Sequence, residues 1–288
     1  MSKKMSITNP DKIMWPSTST TKADYIAYLH IVADYVTAYT KDRLLTLIRY
    51  PGGVDGKSFY QKHAPAHTPE WVEVVSRGQD RFIVCNNRET LYWLGNQAAL
   101  ELHIAFNTYS REEEPTELVF DLDPSIEGFS HVREAALLMR DVLVGVGLVP
   151  YVKTSGATGL QIYVPIQLGY TYSDTRRVSR FIAEFLVQKH PRLLTVERLK
   201  RNRGDRLYID YVQHAPGKTL PAPYSTRARQ TPTVSTPVAW EEIEKGCTPE
   251  DFTIYTVPER LEKQGDLFAP LQSITSRQSL DAILQFLD

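Results

Sequence analysis

Residues 119–125 read V-F-D-L-D-P-S, and the placement of their two aspartates decides how the rest of the chain is read. Successive side chains of a strand point to opposite faces. Leu118, Phe120 and Leu122 therefore share one face, and Val119, Asp121 and Asp123 share the other. Pro124 lacks a ladder N–H and closes the strand. Like charges side by side on one sheet face repel, so this face calls for a positive partner. A plain strand-end turn also places Asp before Pro, and the stretch alone does not separate the two.

Downstream, Val132, Ala136, Met139, Leu143 and Val146 recur at helical spacing and predict a helix over 130–146, with Gly147 as its C-terminal cap. A strand is expected at 149–153, then the turn T-S-G-A-T-G, then a strand at 160–164. A second helix is expected at 174–189, capped by Ser173, with Val178, Phe181 and Phe185 as its apolar stripe and Pro191 beyond its end. The run L-Y-I-D-Y-V predicts a last strand at 207–212. The order is β-α-β-β-α-β, a split βαβ or ferredoxin-like core, in which both helices cover one face and the first and last strands are neighbours. Asp210 alternates away from Leu207, Ile209 and Tyr211. It is expected beside Asp121 and Asp123 on the face the helices leave uncovered. Upstream, Thr21-Lys22-Ala23-Asp24 has the form of a capping box, with Ile26, Leu29, Ala33 and Val36 on one helical face behind it. The fold class is α+β.

Three carboxylates on one sheet face suit hard divalent cations such as magnesium or manganese, which take oxygen ligands and keep positions for water and phosphate. Two such ions can clamp the attacking and leaving oxygens of a phosphoryl transfer. The hairpin K-T-S-G-A-T-G-L-Q-I-Y-V-P adds Gly156 and Gly159 for a tight turn with exposed N–H groups, Ser155 for a hydroxyl and Lys153 for a charge. Gln161 alternates onto the face of the aspartates. A structural glycine hairpin accounts for that stretch equally. Arg203, Arg227 and Arg229 offer guanidinium forks for phosphate. Phe59 and Tyr60 lie between Lys57 and Lys62, a pattern that stacks bases and holds their phosphates, although the spacing by itself is also that of core residues.

The 288 residues carry a net charge of -1, so composition does not announce a polyanion binder, but E-R-L-K-R-N-R-G-D-R and Y-S-T-R-A-R-Q concentrate positive charge. No apolar run is long enough for a bilayer, and M-S-K-K-M-S-I-T-N-P-D-K lacks a signal-peptide core. Cys85 and Cys247 are far apart and make no zinc spacing, which fits a reducing, cytoplasmic setting and no membrane partner.

F-D-L-D-P, K-T-S-G-A-T-G-L-Q-I-Y-V-P, E-R-L-K-R-N-R-G-D-R-L-Y-I-D-Y-V-Q-H-A and A-P-Y-S-T-R-A-R, with T-T-K-A-D-Y-I-A-Y-L, G-K-S-F-Y-Q-K-H-A-P and Y-W-L-G-N-Q-A-A-L-E-L-H, occur in an order that resembles the polymerase domain of bacterial ligase D, in the archaeo-eukaryotic primase superfamily. The resemblance implies a primase-type fold: one domain over 1–268, with an N-terminal αβ module (1–115), a catalytic core (116–240) and C-terminal elements (241–268), then an amphipathic tail (269–288). It implies template-directed nucleotidyl transfer, filling gaps and extending broken ends during end joining, with a preference for ribonucleotides and manganese. Asp121, Asp123 and Asp210 would hold two Mn²⁺ or Mg²⁺ ions. His103, Ser155, Gly156, Gln161, Arg203, Gln213 and Arg227 would meet the NTP or dNTP. Lys12 and Lys22 would hold a downstream 5′-phosphate, and Phe59 and Tyr60 would stack on DNA at the gap.

The chain departs from the family where Gln161 replaces a common His, Thr158 a common Lys, and Tyr60 the second of two phenylalanines. An amide still donates to phosphate but cannot become cationic. No K-x-D-G adenylation motif occurs, so sealing is expected from a separate ATP-dependent DNA ligase or from a longer chain of which this is a piece, with a Ku-type protein holding the ends. A two-metal nuclease and a non-catalytic end-bridging module are the rival readings of the same acidic trio.

Overall fold

The computed structural model describes residues 6–288; residues 1–5, which open the stretch read as lacking a signal-peptide core, lie outside them. The chain forms two compact units, and neither is one continuous run.

The first unit takes the described residues up to Ala105, then 219–236 and 250–265. It opens with β1 (Ile13–Trp15) and β2 (Thr20–Thr21), which pair antiparallel. Then comes α1 (Lys22–Thr40), whose N-terminus has the expected capping box: Thr21 accepts from the Asp24 amide and Asp24 from the Thr21 amide. Ile26, Leu29, Ala33 and Val36 are buried as the spacing requires. Next are β3 (Leu45–Arg49), β4 (Phe59–Gln61), the hairpin β5 (Val74–Arg77) and β6 (Asp80–Ile83), α2 (Arg88–Asn96) and β7 (Ala99–Ala105). Gly95 lets α2 close on α1: a Cβ there would lie 2.5 Å from the Leu29 side chain and 2.8 Å from Ile26.

The second unit takes 106–218, 237–249 and 266–288. It runs β8 (Glu117–Asp123), α3 (Ser130–Gly145), β9 (Tyr151–Thr154), β10 (Leu160–Pro165), α4 (Tyr172–Lys189), β11 (Leu194–Thr195) and β12 (Leu207–Asp210). The chain then crosses to the first unit for β13 (Thr219–Pro221), which completes an antiparallel sheet of order β13-β7-β3-β4. It returns for β14 (Pro237–Val238) and α5 (Trp240–Lys245), gives α6 (Val257–Gln264) to the first unit, and ends in the second with α7 (Ala269–Gln272) and α8 (Asp281–Leu287).

The sheet of the second unit has the order β11-β12-β8-β10-β9-β14. Its four inner strands are those of the split βαβ core, with β12 beside β8 as expected, and every neighbouring pair among them is antiparallel. Leu118, Phe120, Leu122, Leu160, Ile162 and Val164 are fully buried. Helices α3 and α4 pack on each other and both touch β8.

Three details differ from the sequence expectation. The cap of α4 is Thr171, not Ser173, because Thr171 stands three residues before Asp174 and the two form a reciprocal box. The buried stripe of α4 runs through Val178, Ile182 and Leu186, while Phe185 is exposed and Phe181 packs against Phe286 of α8. Val146 is likewise exposed, since the chain leaves α3 at Gly145 and turns at Gly147 (φ 82°). The C-terminal segment packs on the second unit. Gln278 accepts from Val149 N through its side chain and donates its backbone N–H to Pro165 O, and Leu280 is fully buried. Phe268 meets the rings of Tyr163 and Tyr151 edge-on, so it covers one end of the face that carries Gln161.

Candidate active site

Strand register assembles the acidic face. Asp210 of β12 lies directly opposite Asp121 of β8, and Tyr208 lies opposite Asp123. Directly opposed residues have Cβ atoms about 4.5–5.5 Å apart. On the other side of β8, Gln161 is opposite Asp121, and Lys153 of β9 is opposite Gln161. Four adjacent strands thus contribute one polar side chain each to a single line: Lys153, Gln161, Asp121, Asp210.

Hydrogen bonds follow that line. Lys153 Nζ, fully buried, donates to Gln161 Oε1 at 2.5 Å, and Gln161 Nε2 donates to Asp121 Oδ1 at 3.0 Å. The lysine and the carboxylate both select the same amide orientation, with oxygen toward the ammonium and N–H toward the acid. Asp210 Oδ1 accepts from Tyr208 Oη at 3.1 Å and from the Gln213 backbone N–H at 2.8 Å. Burial first, and then the Asp123 charge, push the Asp121 carboxyl up to about 8; the Gln161 hydrogen bond opposes this, Asp210 adds to it and Lys153 opposes it. The carboxylates crowd one another more than the local donors relieve.

Among the described residues, no three His, Cys, Asp or Glu side chains are gathered into a formed metal site. The donor set nonetheless fits a hard divalent cation. It is all carboxylate, it is crowded, and added positive charge would offset the burial and the neighbouring carboxylates that together raise Asp121.

The glycine hairpin stands at the end of this face. Ser155 Oγ accepts from Ala157 N (3.2 Å) and Gly159 N (3.0 Å), and Gly156 takes φ 69°. Gly159 passes so close to β8 that a Cβ would sit 2.3 Å from Leu122 O. Arg203 is not extended toward an open surface. Its Nε donates to Glu197 O (2.9 Å), its Nη2 to Arg198 O (2.8 Å), and its guanidinium lies 3.9 Å from the centre of the Tyr208 ring.

In the first unit, His103 alternates with Glu101 on β7. Nε2 of His103 is 3.0 Å from Glu101 Oε2, and Arg227 Nε lies 3.0 Å from the same oxygen. Ala228 N donates to Glu101 Oε1 at 3.1 Å. Burial by itself would raise the Glu101 carboxyl, but the hydrogen bond from His103 and the charges of Arg227 and His103 hold it below the usual range. Glu101 was missed from the sequence, although E-L-H has the same alternation as D-L-D. Tyr208 was missed too; its signal was its position two residues before Asp210.

Lys12 and Lys22 come together through the Lys22 N–H bond to Lys12 O (2.8 Å). Lys22 Nζ donates to Thr8 O (2.7 Å) and Thr8 Oγ1 (3.0 Å), while Lys12 Nζ donates to Pro51 O. Burial, then the charges of Lys12 and Arg49, hold the Lys22 ammonium below the ordinary lysine range. Phe59 and Tyr60, on β4, are 45% and 72% exposed, which removes the core reading of that pair. Arg49 lies 5.1 Å over the Phe59 ring.

A family model described as the LigD primase-polymerase domain matches residues 21–268. The chain is 41% identical over 283 residues to the bifunctional non-homologous end joining protein LigD of Bacillus subtilis, covering 98% of this chain and 46% of that protein. It is 34% identical over 277 residues to the multifunctional LigD of Mycolicibacterium smegmatis, covering 93% and 36%. It thus spans less than half the length of these curated relatives. A solved structure, the polymerase domain from Mycobacterium tuberculosis ligase D in complex with DNA, matches with a TM-score of 0.84 at 31% identity, covering 93% of this chain and 98% of that one.

Proposed function

Because the chain belongs to the LigD primase-polymerase domain family, we propose that it carries out template-directed nucleotidyl transfer, filling gaps and extending ends when broken DNA is joined. The observation that carries this is the strand register that sets Asp210 opposite Asp121, with Asp123 two residues along the same face. Asp121, Asp123 and Asp210 would hold two divalent ions, manganese or magnesium. The chemistry such ions supply when bound is neutralised phosphate charge and a more acidic attacking hydroxyl.

The chain's own residues do the positioning. Gln161, held by Lys153, donates to Asp121. Tyr208 and the Gln213 amide engage Oδ1 of Asp210, and neither bond uses Oδ2. Arg203 supports the Tyr208 ring from above. Ser155 and Gly156 are assigned to the incoming nucleotide, as are His103 and Arg227. Lys12 and Lys22 are two cations held close together, an arrangement a 5′-phosphate would neutralise. The exposed Phe59 and Tyr60 suit stacking on DNA bases.

We assign ribonucleotides as the preferred substrate and a separate DNA ligase activity and a Ku-type end-binding protein as partners, at the nucleoid in the cytoplasm. Among the described residues no helix is long and apolar enough to cross a membrane. The test is primer extension on a gapped duplex with manganese and each nucleotide type. Lengthening is expected and Asp210→Ala should abolish it while leaving DNA binding intact. Shortening of the primer would mark a nuclease, and an Asp210→Ala variant that extends normally would overturn the assignment.

A further inference from the structure

Glu101 is a buried carboxylate on β7 that neither unit's core chemistry requires. Its neighbours on the opposite face of the strand, Leu100 and Leu102, are apolar and buried, and its own face carries His103 two residues on. Both of its oxygens are engaged. Oε2 lies 3.0 Å from His103 Nε2 in a hydrogen bond and 3.0 Å from Arg227 Nε in an ion pair, and Oε1 accepts from the Ala228 amide. The loop bearing Arg227 is fastened to β7 a second time, by Thr226 Oγ1 donating to Leu100 O, and Arg227 N donates to Thr233 O at 2.8 Å. One anion therefore sets the relative placement of an imidazole and a guanidinium that come from distant parts of the chain.

We propose that Glu101 is a positioning residue for nucleotide binding: it holds His103 and Arg227 together in the orientation in which they meet a triphosphate. This rests on the reading of those two side chains as nucleotide contacts. The carboxylate's charge, 3.0 Å from Arg227 Nε, holds the guanidinium beside the His103 ring, and a guanidinium held in place loses less freedom when it meets a phosphate. Without the carboxylate the arginine loses its ion-pair partner and regains its rotamers. Removing one partner of a buried ion cluster also destabilises the fold, so the loss of binding is read on folded protein, separately from stability.

The experiment uses the full chain with manganese and titrates ATP and AMP by calorimetry, alongside steady-state extension kinetics. Glu101→Gln keeps the shape and removes the charge. ATP binding is expected to weaken by about tenfold or more, the range seen when a supporting residue behind a primary contact is lost. KM for the incoming nucleotide should rise with it, kcat should move much less, and AMP binding should stay at its wild-type value. ATP binding that is unchanged or tighter in Glu101→Gln overturns the proposal. Arg227→Ala separates the two levels. If it weakens ATP binding while Glu101→Gln does not, only the role of Glu101 falls; if neither weakens it, the nucleotide-contact reading falls as well. Should Glu101→Gln fail to fold, Glu101→Asp keeps the charge but draws it back by one methylene. It should lose ATP affinity in the same sense, and wild-type affinity there would also overturn the proposal.

Discussion

Acid should loosen this protein through His214, and the size of the effect follows from where the ring sits. His214 is 1% exposed, packed between Phe106 (4.8 Å between ring centres) and Tyr172 (5.3 Å). Nε2 lies 2.8 Å from Glu117 O, a contact the neutral ring makes as a donor, and Nδ1 has no hydrogen-bond partner among the described residues. A second proton would land on that buried Nδ1. Burial, with a smaller push from Arg176 and against the Glu117 hydrogen bond, brings the imidazole from 6.5 down to about 3. The folded chain thus refuses a proton that the unfolded chain accepts. The stabilisation is whole above pH 6.5 and drains away as pH falls toward 3. Between about pH 7.5 and about pH 5, linkage across that pair of values removes roughly 2 kcal/mol. His214→Gln keeps a donor for Glu117 O and does not titrate. Urea unfolding of both proteins at the two pH values should show the wild type losing about 2 kcal/mol more than the variant. Equal losses would refute the reasoning, because the ring would then be reaching water or a proton acceptor in the folded state.

Other outcomes follow from single contacts. Gly159→Ala places a methyl 2.3 Å from Leu122 O, so β8 and the hairpin must part; a loss of about 1–3 kcal/mol is expected in thermal or urea unfolding, and an unchanged midpoint would contradict the packing. Tyr208→Phe removes one hydroxyl from Asp210 and leaves the ring under Arg203. Manganese affinity measured by calorimetry should fall by about tenfold with little change in melting temperature. Replacing Lys12 and Lys22 together by Met should erase any preference for a 5′-phosphorylated gap over an unphosphorylated one, measured by DNA-binding titration; a preference that persists would remove both lysines from that role.

Alternation within one strand was enough to put Asp121 and Asp123 on a common face, because the period of two is a property of the extended backbone. The capping box at Thr21 and the helix–strand order of the core were legible for the same kind of reason: each is decided within a few residues. The family pattern carried the candidate site residues, His103 and Arg227 among them. What sequence could not settle was contact between distant segments. Two stripes on α4 satisfy helical spacing, and only packing chose Val178–Ile182–Leu186 over Phe181–Phe185. Asp210 reaches Asp121 through the register of β12 on β8, which depends on where the chain re-enters after α4 and β11. Glu101 joins His103 to Arg227 across more than a hundred residues because 219–236 returns to the first unit, and no local rule foretells that return. Arg203 reads as a phosphate ligand by type, and only the fold shows that two carbonyls within its own loop and the Tyr208 ring hold it. Backbone geometry is local and is written residue by residue; the partner a charged side chain finds depends on which strands the folded chain brings abreast.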